Sequence, residues 1–247
     1  MESFKSQFND MELSEFMQIY KGENLWVGTK FDGEGWIIEH KGSKIIVKNM
    51  GVRVMENQDF VNAGHKEFIE ALTIALPYDG IYLAEGIVGN GAYDYKTKTV
   101  PFNLYQRVIA DGTQEKIYGK LRTMIHDIVQ FGENNLTLVE LSKRKAILSK
   151  VVQVNERVEL EHGRWCTNEG EILRWFNDET SQGWEGIVVK LDRAFSPNTW
   201  LRKKAIGRNS NGRPIDAVII GIKKSKEWVE KRLVHSVLLA VYDKTLE

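Results

Sequence analysis

Short runs in which apolar and polar residues alternate dominate the chain, and they predict strands more often than helices. Residues 24–30 (NLWVGTK) and 35–40 (GWIIEH) read as two strands around a tight turn at Asp32-Gly33, and 44–48 (KIIVK) as a third. Further strands are expected at 80–88 (GIYLAEGIV), 101–109 (PFNLYQRVI), Val154–Leu160, 183–190 (GWEGIVVK), 199–204 (TWLRKK), 215–222 (IDAVIIGI) and 233–243 (LVHSVLLAVYD). Helical spacing is clearest at His65–Leu76, with apolar residues at Phe68, Ile69, Leu72, Ile74, Ala75 and Leu76 and Pro77 supplying the stop. Other helices are expected at 11–21, at Ile117–Phe131 (amphipathic), at 141–152 (LSKRKAILSKVV, with a basic face) and at Glu169–Asn177. A polar Gly/Asn-rich joint at Gly207–Arg213 marks a boundary between a domain of 1–210 and a smaller one of 211–247. The fold class is therefore α+β, with two sheets packed against helices.

Composition narrows this picture only a little. The 247 residues are 42% hydrophobic and 28% charged, an ordinary globular balance. Lys+Arg and Asp+Glu are both 34, so binding to nucleic acid cannot be argued from net charge, and any basic surface must be local. The single cysteine, Cys166, excludes an intrachain disulfide framework. The polar, acidic N-terminus has no signal-type apolar stretch, and no run approaches membrane-spanning length. An intracellular, cytoplasmic protein with no membrane partner is expected.

Four stretches carry candidate chemistry. Lys30 stands at a strand end beside the Asp32-Gly33 turn, where one amine can be presented to a ligand; a hairpin with a solvated lysine is the plain alternative. Glu85 lies within an otherwise apolar strand, and a buried carboxylate there calls for a metal, a cation or a ligand hydroxyl; an edge strand with Glu85 in water is the alternative. Glu185 opens the apolar strand that Lys190 closes. Arg202 and Lys204 are two apart, so in a strand they share a face while Lys203 points away. Two convergent cations suit a polyphosphate, although each charge run could also be a solvated face. Together the four suit attack of a lysine on the α-phosphate of ATP. An ordinary lysine is neutral in only about one molecule in a few thousand at neutral pH, and neighbouring cations would favour the neutral nucleophile.

Lys30-Phe31-Asp32-Gly33 resembles the lysine motif of the covalent nucleotidyltransferases, which comprise ATP-dependent DNA ligases, RNA ligases and mRNA capping enzymes. Leu83-Ala84-Glu85-Gly86 is similar to their third motif, Glu185-Gly186-Ile187-Val188-Val189-Lys190 to the fourth, and Trp200-Leu201-Arg202-Lys203-Lys204 to the fifth. Their order and spacing over residues 24–222 carry the resemblance, which within the superfamily is nearest to the ATP-dependent DNA ligases. ELSKRKAILSKVV resembles the helix they place between the third and fourth motifs, and RPIDAVIIGI followed by VHSVLLAVYD is similar to the first strands of their OB domain. The resemblance implies a nucleotidyltransferase (ATP-grasp-like ligase) fold of two packed sheets, followed by the start of an OB-fold that is incomplete at Glu247. It implies ATP and Mg²⁺ (or Mn²⁺) as cofactors, a nicked duplex nucleic acid, DNA before RNA, as partner, and a monomer. Lys30 would form lysyl-AMP; Thr29, Asp32, Gly33, Arg53, Glu85, Phe102, Lys190, Arg202 and Lys204 would bind ATP; Glu85 and Glu185 would bind metal. Basic residues at 143–150 (Lys143, Arg144, Lys145, Lys150) and 202–208 are candidates for phosphate contacts. Gly28 and Gly35 depart from the family, which usually has an acid and an arginine there. An RNA ligase of the same superfamily and a non-catalytic nucleic-acid-binding module are the competing expectations.

Overall fold

The computed structural model describes residues 11–31, 33–49, 54–89, 119–204, 217–224 and 234–241. The chain divides into two compact units, Met1–Lys204 and Ala205–Glu247. In the smaller unit, β12 (Ala217–Lys224) pairs antiparallel with β13 (Val234–Val241), with register shifts at Ile219/Gly221 and Lys223/Lys224.

The larger unit contains two sheets. The first has the order β11-β10-β1-β9, from β1 (Leu25–Lys30), β9 (Gly163–Cys166), β10 (Gly186–Leu191) and β11 (Leu201–Lys204), all antiparallel. The second has the order β4-β3-β2-β5-β6-β7, from β2 (Glu34–Lys41), β3 (Lys44–Asn49), β4 (Val54–Glu56), β5 (Gly80–Val88), β6 (Leu121–Phe131) and β7 (Asn134–Asn135). A short β8 (Val158–Leu160) runs parallel to β6. Side chains alternate across each strand. On β1, Leu25 and Val27 are fully buried in a core with α1 (Leu13–Ile19) and α5 (Glu169–Ser181), leaving Trp26, Gly28 and Lys30 for the opposite face. On the second sheet, Trp36, Ile38, Ile45, Tyr82 and Ala84 pack against α2 (Asn57–Asn62), α3 (Lys66–Ala75) and α4 (Leu141–Val151). Burying a side chain such as Phe68 or Leu72 of α3 contributes about 1.5–3 kcal/mol. Pro77 disfavours helix at the residue before it, and Leu76 leaves the helix there. At the start of α5 the Asn168 side chain accepts from the Glu171 amide at 3.0 Å, and two acids in the first turn suit the helix dipole.

One expected element is corrected. Ile117–Phe131 reads as a helix, yet Leu121–Phe131 is an eleven-residue strand. Both faces of β6 are largely covered, so it presents a near-continuous apolar run rather than alternation. Two register shifts against β5 break its period further: Ile125 pairs with Ala84 and Asp127 with Leu83, so His126 is an extra, bulged residue. The strand expected at Val154–Leu160 is confined to β8, and the one at 101–109 lies outside the described residues.

Candidate active site

Strand register places the first part of the site. Lys30 pairs with Gly186, and Gly186 with Lys204, so one row across β1, β10 and β11 carries both lysines. Glu185 precedes that row, and its carboxylate accepts from Lys30 Nζ on one oxygen and from Lys204 Nζ, at 2.5 Å, on the other. A Cβ at Gly186 would lie 2.0 Å from the Lys203 carbonyl oxygen, and its φ is +155°, so glycine is required where Glu185 turns into the strand. Burial works against charge on Glu185, but hydrogen bonds from Lys204 and Lys30 outweigh it and hold the carboxyl below its usual range.

A cavity of about 230 Å³ lies between the inner faces of the two sheets. Lys30 and Glu85 line it; Ile37, Leu83, Val188 and Trp200 make apolar wall. Glu85 reaches it because it shares the face of Ile81, Leu83 and Ile87 on β5. Gly33 permits the approach of the β1–β2 turn, since a Cβ there would meet the Gly86 carbonyl oxygen at 2.3 Å. Phe31 is buried against Ile87, Met124 and Trp184 and anchors the strand end that presents Lys30.

The deeper wall is a buried ionic cluster. Glu161 accepts from Lys190 Nζ at 2.9 Å, from Lys145 Nζ at 2.5 Å and from Trp26 Nε1 at 2.7 Å. Burial opposes its charge, but Lys145 and Lys190 prevail and its carboxyl falls to about 2. Burial pushes Lys145 down to about 8, with Glu161 opposing. His126, lining the cavity from its bulge, is driven down to about 3 by burial and by Lys190, and its Nδ1 is buried without a hydrogen-bond partner.

The sequence-derived residues thus fall into groups. Lys30, Glu185 and Lys204 meet at the strand ends, and Lys30, Glu85, Thr29 and Lys190 line the cavity. Thr29 sits on the face of Leu25 and Val27, and its hydroxyl donates to Glu179, whose carboxyl burial raises. Lys190 pairs across from Trp26, four residues along β1 from Lys30, roughly 13 Å at strand rise. It belongs to the Glu161 cluster rather than to the cations beside Lys30. Arg202 pairs across from Val188, and Lys203 on the other face lies over the Phe176 ring. Asp32, Arg53 and Phe102 lie outside the described residues. The basic face expected on 141–152 is corrected: Arg144 is buried against Asp127 and Lys145 against Glu161, which leaves Lys143 and Lys150 exposed. Glu161 and His126 escaped the sequence reading, as did the pairing of Lys145 with Glu161. The one signal for them was Gly28, since a glycine inside a strand marks the close approach of another group.

Among the described residues no helix is long and apolar enough to cross a membrane. Residues 5–204 match the family described as the ATP dependent DNA ligase domain. The probable DNA ligase of Aquifex aeolicus is 26% identical over 226 residues, which are 87% of this chain and 36% of that protein. The chain thus spans about a third of the length of that relative. Two solved structures share the fold. A Lig E DNA ligase has a TM-score of 0.61 at 13% identity, covering 95% of this chain and 79% of that one. A mycobacterial DNA ligase D, complexed with ATP, has a TM-score of 0.55 at 15% identity, covering 89% and 64%. With the family matched over most of its length, the chain belongs to the ATP-dependent DNA ligase domain family.

Proposed function

We propose that this chain performs the nucleotidyl-transfer chemistry of an ATP-dependent DNA ligase, with Lys30 as the nucleophile. The observation that carries the reading is the strand-end row: an amine, a carboxylate and a second lysine held together beside a cavity between two sheets. In the first step Lys30 Nζ, without its proton, forms a bond to the α-phosphorus of ATP. The bond from that phosphorus to the bridging oxygen breaks, and pyrophosphate leaves. AMP then passes to a 5′-phosphate at a nick, and a 3′-hydroxyl displaces AMP as the phosphodiester forms.

Glu185 stays ionised and orients the amine at the cavity. Lys204 and Arg202 supply positive charge for the phosphates. Because Lys203 packs on Phe176, the other two cations of β11 occupy its opposite face. Ile37, Leu83 and Val188 exclude water from the nucleoside. Asp32, Arg53 and Phe102 are assigned to ATP on their motif positions alone, as is the division of the chain near residue 210 with the start of an OB-fold after it. Among the described residues no cluster of three or more His, Cys, Asp or Glu could hold a metal. Glu85 and Glu185 are assigned to a magnesium ion on their motif positions alone; such an ion takes one or two carboxylates with water and substrate phosphate. When bound, such an ion supplies charge stabilisation at the phosphoryl oxygens.

The test is sealing of a 5′-phosphorylated nick in duplex DNA with ATP and Mg²⁺, beside the same nick in duplex RNA. Sealing of DNA that Lys30→Ala abolishes supports the reading. Sealing of RNA alone would replace DNA as the substrate, and sealing that survives Lys30→Ala would remove the covalent role.

A further inference from the structure

We propose that Glu161 selects the nucleobase, accepting a hydrogen bond from an exocyclic amino group in the cavity. The proposal rests on the reading of that cavity as a nucleotide site. Its first support is position. A Cβ on Gly28 would lie 2.4 Å from Glu161 Oε1 and 2.5 Å from its Cδ, so the carboxylate rests directly on the bare backbone of β1. Gly28 is two residues before Lys30 on the same face, about 7 Å along the strand. A nucleoside whose phosphorus is at Lys30 therefore reaches Glu161 with its base.

The second support is hydrogen-bond capacity. An ionised carboxylate offers about four lone-pair sites. Lys190 uses one on Oε1, and Lys145 and Trp26 use two on Oε2. The remaining acceptor is on Oε1, the oxygen closest to Gly28. Glu161 lines the cavity, and its side chain is only 3% exposed. With three donors fixing it, it can offer a ligand an acceptor and nothing else. Adenine presents an amino donor at its six-membered-ring edge; hypoxanthine presents a carbonyl oxygen at the same place. An oxygen set against a buried carboxylate is repelled and leaves that acceptor unmet, which costs about 10–100-fold in affinity.

The experiment uses the full chain. Labelling of Lys30 by ATP and by inosine triphosphate is compared at equal concentration, together with equilibrium binding of AMP and IMP. Wild type should favour the adenine nucleotide at least tenfold in both readouts. Glu161→Gln presents an amide donor to the base and should bring the ratio close to one. Because that change also leaves Lys145 and Lys190 without their carboxylate, Gly28→Ala is a second variant. It keeps the charge and pushes it aside, and it should erode the preference in a protein whose circular dichroism matches wild type. Equal use of the two nucleotides by wild type, or an undiminished preference in folded Gly28→Ala, overturns the assignment of Glu161. Failure of every nucleotide to bind or to label Lys30 overturns the nucleotide reading of the cavity, and the proposal with it.

Discussion

Asp127→Ala should be among the most damaging single substitutions remote from Lys30. Asp127 is fully buried and accepts from Arg144 twice, Nε to Oδ1 at 2.9 Å and Nη2 to Oδ2 at 2.9 Å. Arg144 is itself 2% exposed, and its Nη1 donates to the carbonyl oxygens of Val139 and, at 3.2 Å, Arg193. Removing the carboxylate leaves a buried guanidinium without its counter-charge, a loss of about 3–5 kcal/mol. For a domain near 200 residues each kcal/mol lowers Tm by about 2–4 °C, so the expected fall is roughly 6–20 °C. Arg144 also ties α4 to the segment after β10 that carries Phe195 over its guanidinium, 5.7 Å from the ring centroid. Phe195 lines the cavity, so labelling by ATP should weaken in the same variant. The assay is thermal unfolding by circular dichroism, with Asp127→Leu/Arg144→Met as the control that removes both charges and recovers at least half of the loss. A Tm within about 3 °C of wild type for Asp127→Ala would refute the assignment of Arg144 as a charge dependent on this partner.

Other outcomes follow from the same geometry. Gly186→Ala forces a Cβ against the Lys203 carbonyl and should cost about 2–4 kcal/mol and slow Lys30 labelling, read by chemical denaturation and by ATP incorporation. Lowering the pH should destabilise the fold through His126. Its folded pKa of about 3 lies below the ordinary 6.5, so the unfolded chain binds the proton first, and stability present above pH 6.5 is lost as pH falls toward 3. The slope is at most about 1.4 kcal/mol per pH unit, and His126→Phe should flatten it in denaturant titrations at a series of pH values. Lys204→Ala should leave Tm within about 2 °C, because that side chain is half exposed, yet lower the rate of labelling by ATP at least tenfold.

The strand-end half of the site was legible because strand periodicity is local. Lys30, Glu185 and Lys204 each stand at or beside a strand end, and antiparallel pairing of those strands brings the three together. The face shared by Arg202 and Lys204 follows from period two alone. The deep half was not legible. Glu161, Lys145 and Lys190 come from the β8–β9 connection, α4 and β10, and no spacing in the chain relates them. His126 enters through a bulge in a strand covered on both faces, the same strand whose apolar run reads as a helix. Lys145 and Arg144 look like a solvated basic face because helical periodicity records charge but not the buried acids, Glu161 and Asp127, that meet them.

The most direct measurement is mass spectrometry of the intact chain and its peptides after incubation with ATP and Mg²⁺. The account predicts an acid-labile AMP adduct on the peptide containing Lys30, absent from Lys30→Ala. An adduct on another lysine, or none on a folded wild-type chain, would contradict it.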